Sequence, residues 1–339
     1  MWDLDNTLWN GILMEDKDVE LKPEVLDIIK ILDERGILHS IASKNDHELV
    51  MEKLNELSIA NYFLYPQINW NPKSTSINTI SELLNLGVNS FAFIDDQAFE
   101  RDEVLYTHPE VLCLAETEIT AILNRQEFIP RFITEDSRIR RIMYQSEMQR
   151  KQAEESFQST QEEFLKSLDM VMEIHEARED DLERAEELTV RTHQLNTTGI
   201  TYSYDELKTY MTDSNYRLYI VSLVDKYGTY GKIGIALVEC KNFWRIKLFL
   251  LSCRVMSRGI GSVFLNYLIS EGKKSNQIIQ AEFVSNNKNR MMLMTYRMNG
   301  FKQKDKINET EILEYEISNG SSFPTYLKLI GEEKEIVKW

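Results

Sequence analysis

Apolar residues recur at helical spacing through residues 23–35 (Val25, Ile28, Ile29, Leu32), and the pattern stops at Gly36, where a glycine ends the helix. Residues 37–42 follow as a short, continuous apolar run of strand length. The alternation repeats, with helices expected over 46–57 and 76–86 and a strand over 91–94 that ends on Asp95-Asp96. Short strands alternating with helices of this length predict a Rossmann-like, parallel, doubly wound α/β sheet over residues 1–130. Ligands of such sheets sit at the carboxyl ends of the strands.

Residues 131–168 read as a helical connector, polar, charged and glycine-free from Glu135 to Phe164. A different pattern begins near Met170. Amphipathic helices are expected over 180–191 and 203–211, and three consecutive antiparallel strands over 217–224, 232–239 and 244–252, with Gly228-Thr-Tyr-Gly231 as the first turn. A helix over 259–272, a strand over 278–284 and a helix over 289–298 ending at Gly300 complete an α+β domain placed at 169–339.

Length agrees with two domains, since 339 residues exceed one ordinary core. No apolar run approaches the roughly 20 residues that span a bilayer. The chain opens on polar Asp-Leu-Asp-Asn-Thr, so no leader and no membrane partner are expected. Cys113, Cys240 and Cys253 are too few and too irregularly spaced for a disulfide framework or a zinc site, which fits a reducing, cytoplasmic compartment. A net charge of -16 argues against a nucleic-acid partner, and any phosphate must be held by local cations and backbone amides.

Candidate chemistry lies where the predicted strands end. Asp3 and Asp5 open the chain, with Thr7 alongside; Ser43 follows the strand at 37–42, Lys73 lies in Asn71-Pro-Lys-Ser, and Asp95-Asp96 follows the strand at 91–94. Aspartate-based phosphoryl transfer needs these residue types, and the chain offers them in order. One carboxylate attacks phosphorus and a second acts as general acid and base. Hydroxyl and ammonium groups hold the phosphoryl oxygens, and further carboxylates hold Mg²⁺ so that two anions can meet. The ordered set resembles the haloacid dehalogenase superfamily, in its small-cap or capless branch. That resemblance implies Asp3 as nucleophile, Asp5 as acid/base, Thr7, Ser43 and Lys73 as phosphate binders, and Mg²⁺ on Asp3, Asp95, Asp96 and the backbone carbonyl of Asp5. Only Met1 and Trp2 precede Asp3, so the expectation is a sheet without its middle strand, in a chain that starts inside a longer natural one.

A second motif, Ser252-Cys-Arg-Val-Met-Ser-Arg-Gly-Ile-Gly261, ends a predicted strand and opens a helix, where free amides at the positive helix end suit a phosphate or pyrophosphate. With the strands before it and Asn286-Asn-Lys-Asn, Tyr296 and Gly300-Phe301 after it, this part resembles the GNAT-type acetyltransferases. Together the halves resemble the FkbH-like proteins, on Asp3-Leu-Asp-Asn-Thr-Leu-Trp9, Ser43-Lys-Asn, Trp70-Asn-Pro-Lys73, Phe93-Ile-Asp-Asp96 with Glu100-Arg101, Arg191-Thr-His-Gln-Leu-Asn-Thr197, and Ser252-Cys-Arg254 with Arg258-Gly259. That family loads acyl carrier proteins with a glyceryl unit from 1,3-bisphosphoglycerate. The resemblance implies that the second domain receives the carrier's phosphopantetheine arm (or CoA) at Arg254, Arg258, Gly259 and Gly261. Cys253 is the best-placed cysteine for a thioester relay, or else a small buried strand residue; the two arginines bind the arm's phosphate or are solvated. His193 and Asn196 are candidate acid/base or carrier-contact residues. His193, Leu195 and Gly261 depart from the family's usual Asn, Phe and acidic residue. Three expectations follow: a phosphatase and acyltransferase acting on a carrier, a phosphatase with a non-catalytic second domain, or a carrier-binding module without turnover.

Overall fold

The computed structural model describes residues 1–16, 18–316 and 324–331. The chain is mixed α/β and divides into two compact units, residues 1–145 and 146–339. The end of the expected second domain, residues 332–339, lies outside the described residues.

The first unit begins with a small antiparallel pair, β1 (Trp9–Asn10) and β2 (Glu20–Leu21). It continues through α1 (Val25–Glu34), β3 (Ala42–Ser43), α2 (His47–Glu56), β4 (Gln67–Ile68), α3 (Lys73–Leu84), β5 (Ala92–Asp95), α4 (Ala98–Thr107), β6 (Leu112–Ala115) and α5 (Glu135–Arg138); helix α6 (Arg140–Ser156) starts in this unit and ends in the second. Helix α1 buries the four apolar residues its spacing marked, Val25, Ile28, Ile29 and Leu32. Gly36 follows with φ +75°, a conformation that costs glycine little.

Every described pairing around the centre of this unit is parallel. β4 pairs with β3, β5 pairs with β6, and Trp2 bridges Ile41 on one side and Ile94 on the other. Residues 1–3 form no named strand, and Trp2 makes only isolated bridges. The Trp2 amide donates to the Ser40 carbonyl at 3.0 Å and the Asp3 amide to the Ile94 carbonyl at 2.9 Å, so a very short segment fills the central place. Buried peptide groups must find partners, and these two edges supply them. Trp2 is itself buried, and its indole N–H donates to His39 Nδ1 at 3.0 Å.

The second unit comprises α7 (Gln161–Ser167), β7 (Met170–Glu176), α8 (Leu182–Arg191), α9 (Tyr204–Thr212), β8 (Tyr216–Asp225), β9 (Gly228–Glu239), β10 (Trp244–Leu251), α10 (Ile260–Lys274), β11 (Ile279–Phe283), α11 (Arg290–Met298), β12 (Phe301–Ile307), β13 (Thr310–Tyr315) and β14 (Leu327–Ile330). Eight strands form one sheet in the order β12-β13-β11-β10-β9-β8-β7-β14. Neighbours are antiparallel except β10 with β11 and β14 with β7. Two apolar clusters line it, one built on residues such as Phe249, Phe264 and Tyr296, the other on Leu182, Leu207 and Leu248. The turn expected at Gly228–Gly231 lies earlier. Lys226-Tyr227 joins β8 to β9, and the register shifts beside Gly231, whose φ of +73° suits a bulge.

β10 and β11 pair only at Trp244–Ile246, and beyond that point the chain near Asn196 enters the gap. Leu251 donates to the Leu195 carbonyl at 2.9 Å, Thr197 to the Phe249 carbonyl at 3.1 Å, and Val284 to the Thr197 carbonyl at 2.9 Å. The splayed strands thus satisfy their backbone groups through this loop.

Candidate functional site

Four of the expected residues of the first unit converge. Asp3 ends the short middle segment, Asp95 ends β5, Asp96 follows it, and Lys73 opens α3. Helix α3 was expected to start at Ser76; instead Pro72 stands at the cap, where its fixed φ suits helix entry, and Lys73 is the first helical residue. Its ammonium donates to Asp3 Oδ1, to Asp95 Oδ2 at 3.1 Å and to the Ala42 carbonyl at 2.8 Å, which takes all three of its protons. Burial opposes the charge on Lys73, but Asp3 and Asp95 outweigh it and hold its pKa above the ordinary lysine value. Burial, then the charge on Asp3, pushes Asp95 up to about 6 and raises Asp96 as well.

Carboxylate oxygens of Asp3, Asp95 and Asp96 lie within 4.8 Å of one another. Asp96 Oδ1 is buried without a hydrogen-bond partner. Three oxygen donors this close, one of them unsatisfied, fit a hard divalent cation such as Mg²⁺. The Asp5 carboxylate lies outside this trio. Its Oδ1 accepts from the Trp9 indole at 2.9 Å and the Leu13 amide at 3.1 Å, and its Oδ2 accepts from Asn45 at 3.0 Å. Burial raises its pKa against those bonds, which suits a proton donor.

The hydroxyl residues divide. Thr7 is fully buried and its Oγ1 accepts the Asp96 amide at 3.0 Å, tying the first loop to the last. Ser43 is buried at the end of β3. Four further residues lie beside the site and were present in the quoted motifs without a role. Asn45 fixes Asp5, Arg101 donates to the Asp95 carbonyl at 2.7 Å, and Lys44 pairs with Glu100 at 2.6 Å. The available signal was position in the sequence, Lys44 and Asn45 directly after Ser43 and Glu100-Arg101 one helical turn beyond Asp96.

In the second unit Gly259 caps α10 with φ +73°, and a Cβ there would run into the Tyr326 hydroxyl. A Cβ on Gly261 would lie 3.1 Å from Leu251 Cδ1. Glycine is needed at the first of these for both conformation and space. Arg258 is not solvated. Its guanidinium is 3.4 Å from Glu147 and 5.3 Å from the Tyr230 ring, with Nε buried and unpartnered. Arg254 Nε donates to Ser252 Oγ at 3.3 Å.

Cys253 is exposed and lies in a turn after β10, which corrects the reading of a buried strand residue. His193 is exposed, with its carbonyl accepting from Asn286 at 3.4 Å. Asn196 is buried and structurally engaged. Its Oδ1 accepts the Thr198 and Gly199 amides at 3.1 and 2.9 Å, and its Nδ2 donates to the Ile200 carbonyl at 3.2 Å. It shapes the loop that fills the β10–β11 gap.

No family model matches the chain, and no curated protein matches it. Among solved structures it is similar to the N-terminal part of BF1531 from Bacteroides fragilis, containing a phosphatase domain complexed with Mg (29% identity, 33% of this chain, TM-score 0.30). The chain spans about a third of that structure's length (34%). It is also similar to the PaiA N-acetyltransferase of Thermoplasma acidophilum in complex with coenzyme A (17% identity, 43% of this chain and 99% of that one, TM-score 0.34). A third likeness is to a mutant of the spermidine N-acetyltransferase SpeG of Vibrio cholerae (15% identity, 42% and 91%, TM-score 0.33). Among the described residues, no helix is long and apolar enough to cross a membrane.

Proposed function

We propose that the first unit is a Mg²⁺-dependent phosphoryl-transfer site with Asp3 as nucleophile, and that the second unit accepts the phosphopantetheine arm of an acyl carrier protein. The convergence of Asp3, Asp95 and Asp96 around Lys73 carries this reading. Asp3, Asp95 and Asp96 would hold the cation, which when bound screens the phosphoryl charge from the carboxylates. Lys73 braces Asp3 and adds positive charge where the phosphoryl oxygens enter. An Asp3 oxygen attacks phosphorus, the bond from phosphorus to the substrate oxygen breaks, and Asp5 gives that oxygen its proton. Asp5 then takes a proton from the water that attacks the aspartyl phosphate, which frees Asp3 and inorganic phosphate.

The substrate we favour is a phosphorylated three-carbon acyl phosphate of the 1,3-bisphosphoglycerate kind. The carrier thiolate attacks the acyl carbon and phosphate leaves, while the ester phosphate departs through Asp3. The glycine cap of α10 supports the reading of the second unit, because its free amides suit the arm's phosphodiester. Incubation with 1,3-bisphosphoglycerate, Mg²⁺ and phosphopantetheinylated carrier is expected to add a glyceryl mass to the carrier. Phosphate release without loading, across several carriers, would leave a phosphatase and remove the transferase reading.

A further inference from the structure

We propose that Lys44 is a specificity-determining residue that binds a second anionic group on the substrate, and that Glu100 is the positioning residue that aims it. This rests on the phosphoryl-transfer reading of the first unit.

Lys44 lies between Ser43, at the end of β3, and Asn45, which holds Asp5. Glu100 is the third residue of α4, the helix that begins just after Asp95-Asp96. Helical side chains lean toward the N-terminus, so Glu100 points back toward that carboxylate loop. The Lys44–Glu100 pair therefore links the chain after β3 to the chain after β5, the strand ends on either side of Asp3. Lys73 cannot serve a second anion, because Asp3, Asp95 and Ala42 take its three protons.

The pair is built unlike a surface ion pair. The Lys44 side chain is 33% exposed and Glu100 only 9%, and Glu100 Oε2 is buried without a partner. A buried carboxylate with one unsatisfied oxygen is a poor stabilising device, since desolvation is incompletely offset. Its effect is to hold one ammonium at one place. Lys44 keeps two further N–H donors, at the half-exposed end of the pair, for a carboxylate or second phosphate.

Two compounds of the same three-carbon skeleton test this, 3-phosphoglycerate, with a carboxylate, and glycerol 3-phosphate, with a hydroxymethyl group in its place. Replacing Lys44 by Met is expected to lower kcat/KM for 3-phosphoglycerate by about 10- to 100-fold, the range of a charged hydrogen bond, and to change glycerol 3-phosphate by less than about 2-fold. Lys44→Arg should restore part of the loss, and Glu100→Gln should raise KM for 3-phosphoglycerate while leaving kcat nearly unchanged. Equal losses on both compounds, or no loss on either, would overturn the assignment of Lys44 while leaving phosphoryl transfer intact. If the unaltered protein releases phosphate from neither compound, calorimetric binding of 3-phosphoglycerate decides Lys44 separately, and 1,3-bisphosphoglycerate decides the parent reading. Weaker binding by Lys44→Met supports the assignment, and equal or absent binding overturns it.

Discussion

Acidification should loosen the first unit through His39. Its Nδ1 accepts the Trp2 indole N–H at 3.0 Å, and its Nε2 lies 3.1 Å from the Ile29 carbonyl. Both contacts are satisfied only by the neutral ring with its proton on Nε2, and a second proton would face the indole N–H. Burial pushes the His39 pKa down to about 3 from its ordinary 6.5. The unfolded chain therefore binds the extra proton first. The stabilisation is fully present above the ordinary value and is lost progressively as pH falls from 6.5 toward about 3. Between about pH 7.5 and about pH 5 the loss comes to roughly 2 kcal/mol, from 1.5 pH units at about 1.36 kcal/mol each. His39→Gln can keep an acceptor and a donor without titrating. Hydrogen exchange read by mass spectrometry on the peptide containing residues 37–43, corrected for intrinsic rates, gives the opening free energy of this segment. The advantage of the unaltered protein over the His39→Gln variant should shrink by that amount across the interval. An advantage that stays constant, to within about 0.5 kcal/mol, would refute the neutral, buried imidazole.

Asp3→Asn is expected to lower phosphate release by on the order of 1,000-fold or more and to weaken Mg²⁺ binding, read by a phosphate assay and by titration calorimetry. Chelation of divalent cations should stop phosphate release reversibly, and Mg²⁺ at about 100 times its Kd should stabilise the folded protein by about 2.7 kcal/mol, seen as a raised melting temperature. Lys73→Met leaves Asp3 and Asp95 facing each other without the ammonium, and should destabilise the first unit by about 3–5 kcal/mol in a denaturant titration. Gly259→Ala places a methyl against the Tyr326 hydroxyl at a positive φ, and should cost the second unit about 1–3 kcal/mol in a denaturant titration.

Much of this molecule was legible in one dimension. Helix α1 was announced by Val25, Ile28, Ile29 and Leu32, because a 3.6-residue period leaves a visible stripe. Asp95-Asp96 was placed at a strand end, because four apolar residues before two acids have few other readings. Elements with weaker local signals were missed. The edge strand β12 buries only Phe301 and reads as polar, and β14 pairs with a strand about 150 residues away. Nothing local marks such a partner.

The order of Asp3, Asp5, Thr7, Ser43, Lys73, Asp95 and Asp96 along the chain, and the chemistry those residue types suit, were determined by the sequence alone. Only tertiary structure decided how they divide. Asp3, Asp95 and Asp96 close on one another around Lys73, while Asp5 turns to Trp9, Leu13 and Asn45, and Thr7 is spent on the Asp96 amide. It also decided that Trp2 bridges Ile41 and Ile94, that Asn196 braces a loop, and that Arg258 is packed against Tyr230 rather than solvated. The reason is physical. Residue type sets what a side chain is able to do, but a buried polar group takes whichever partners the fold brings within about 3 Å, and those partners come from distant parts of the chain.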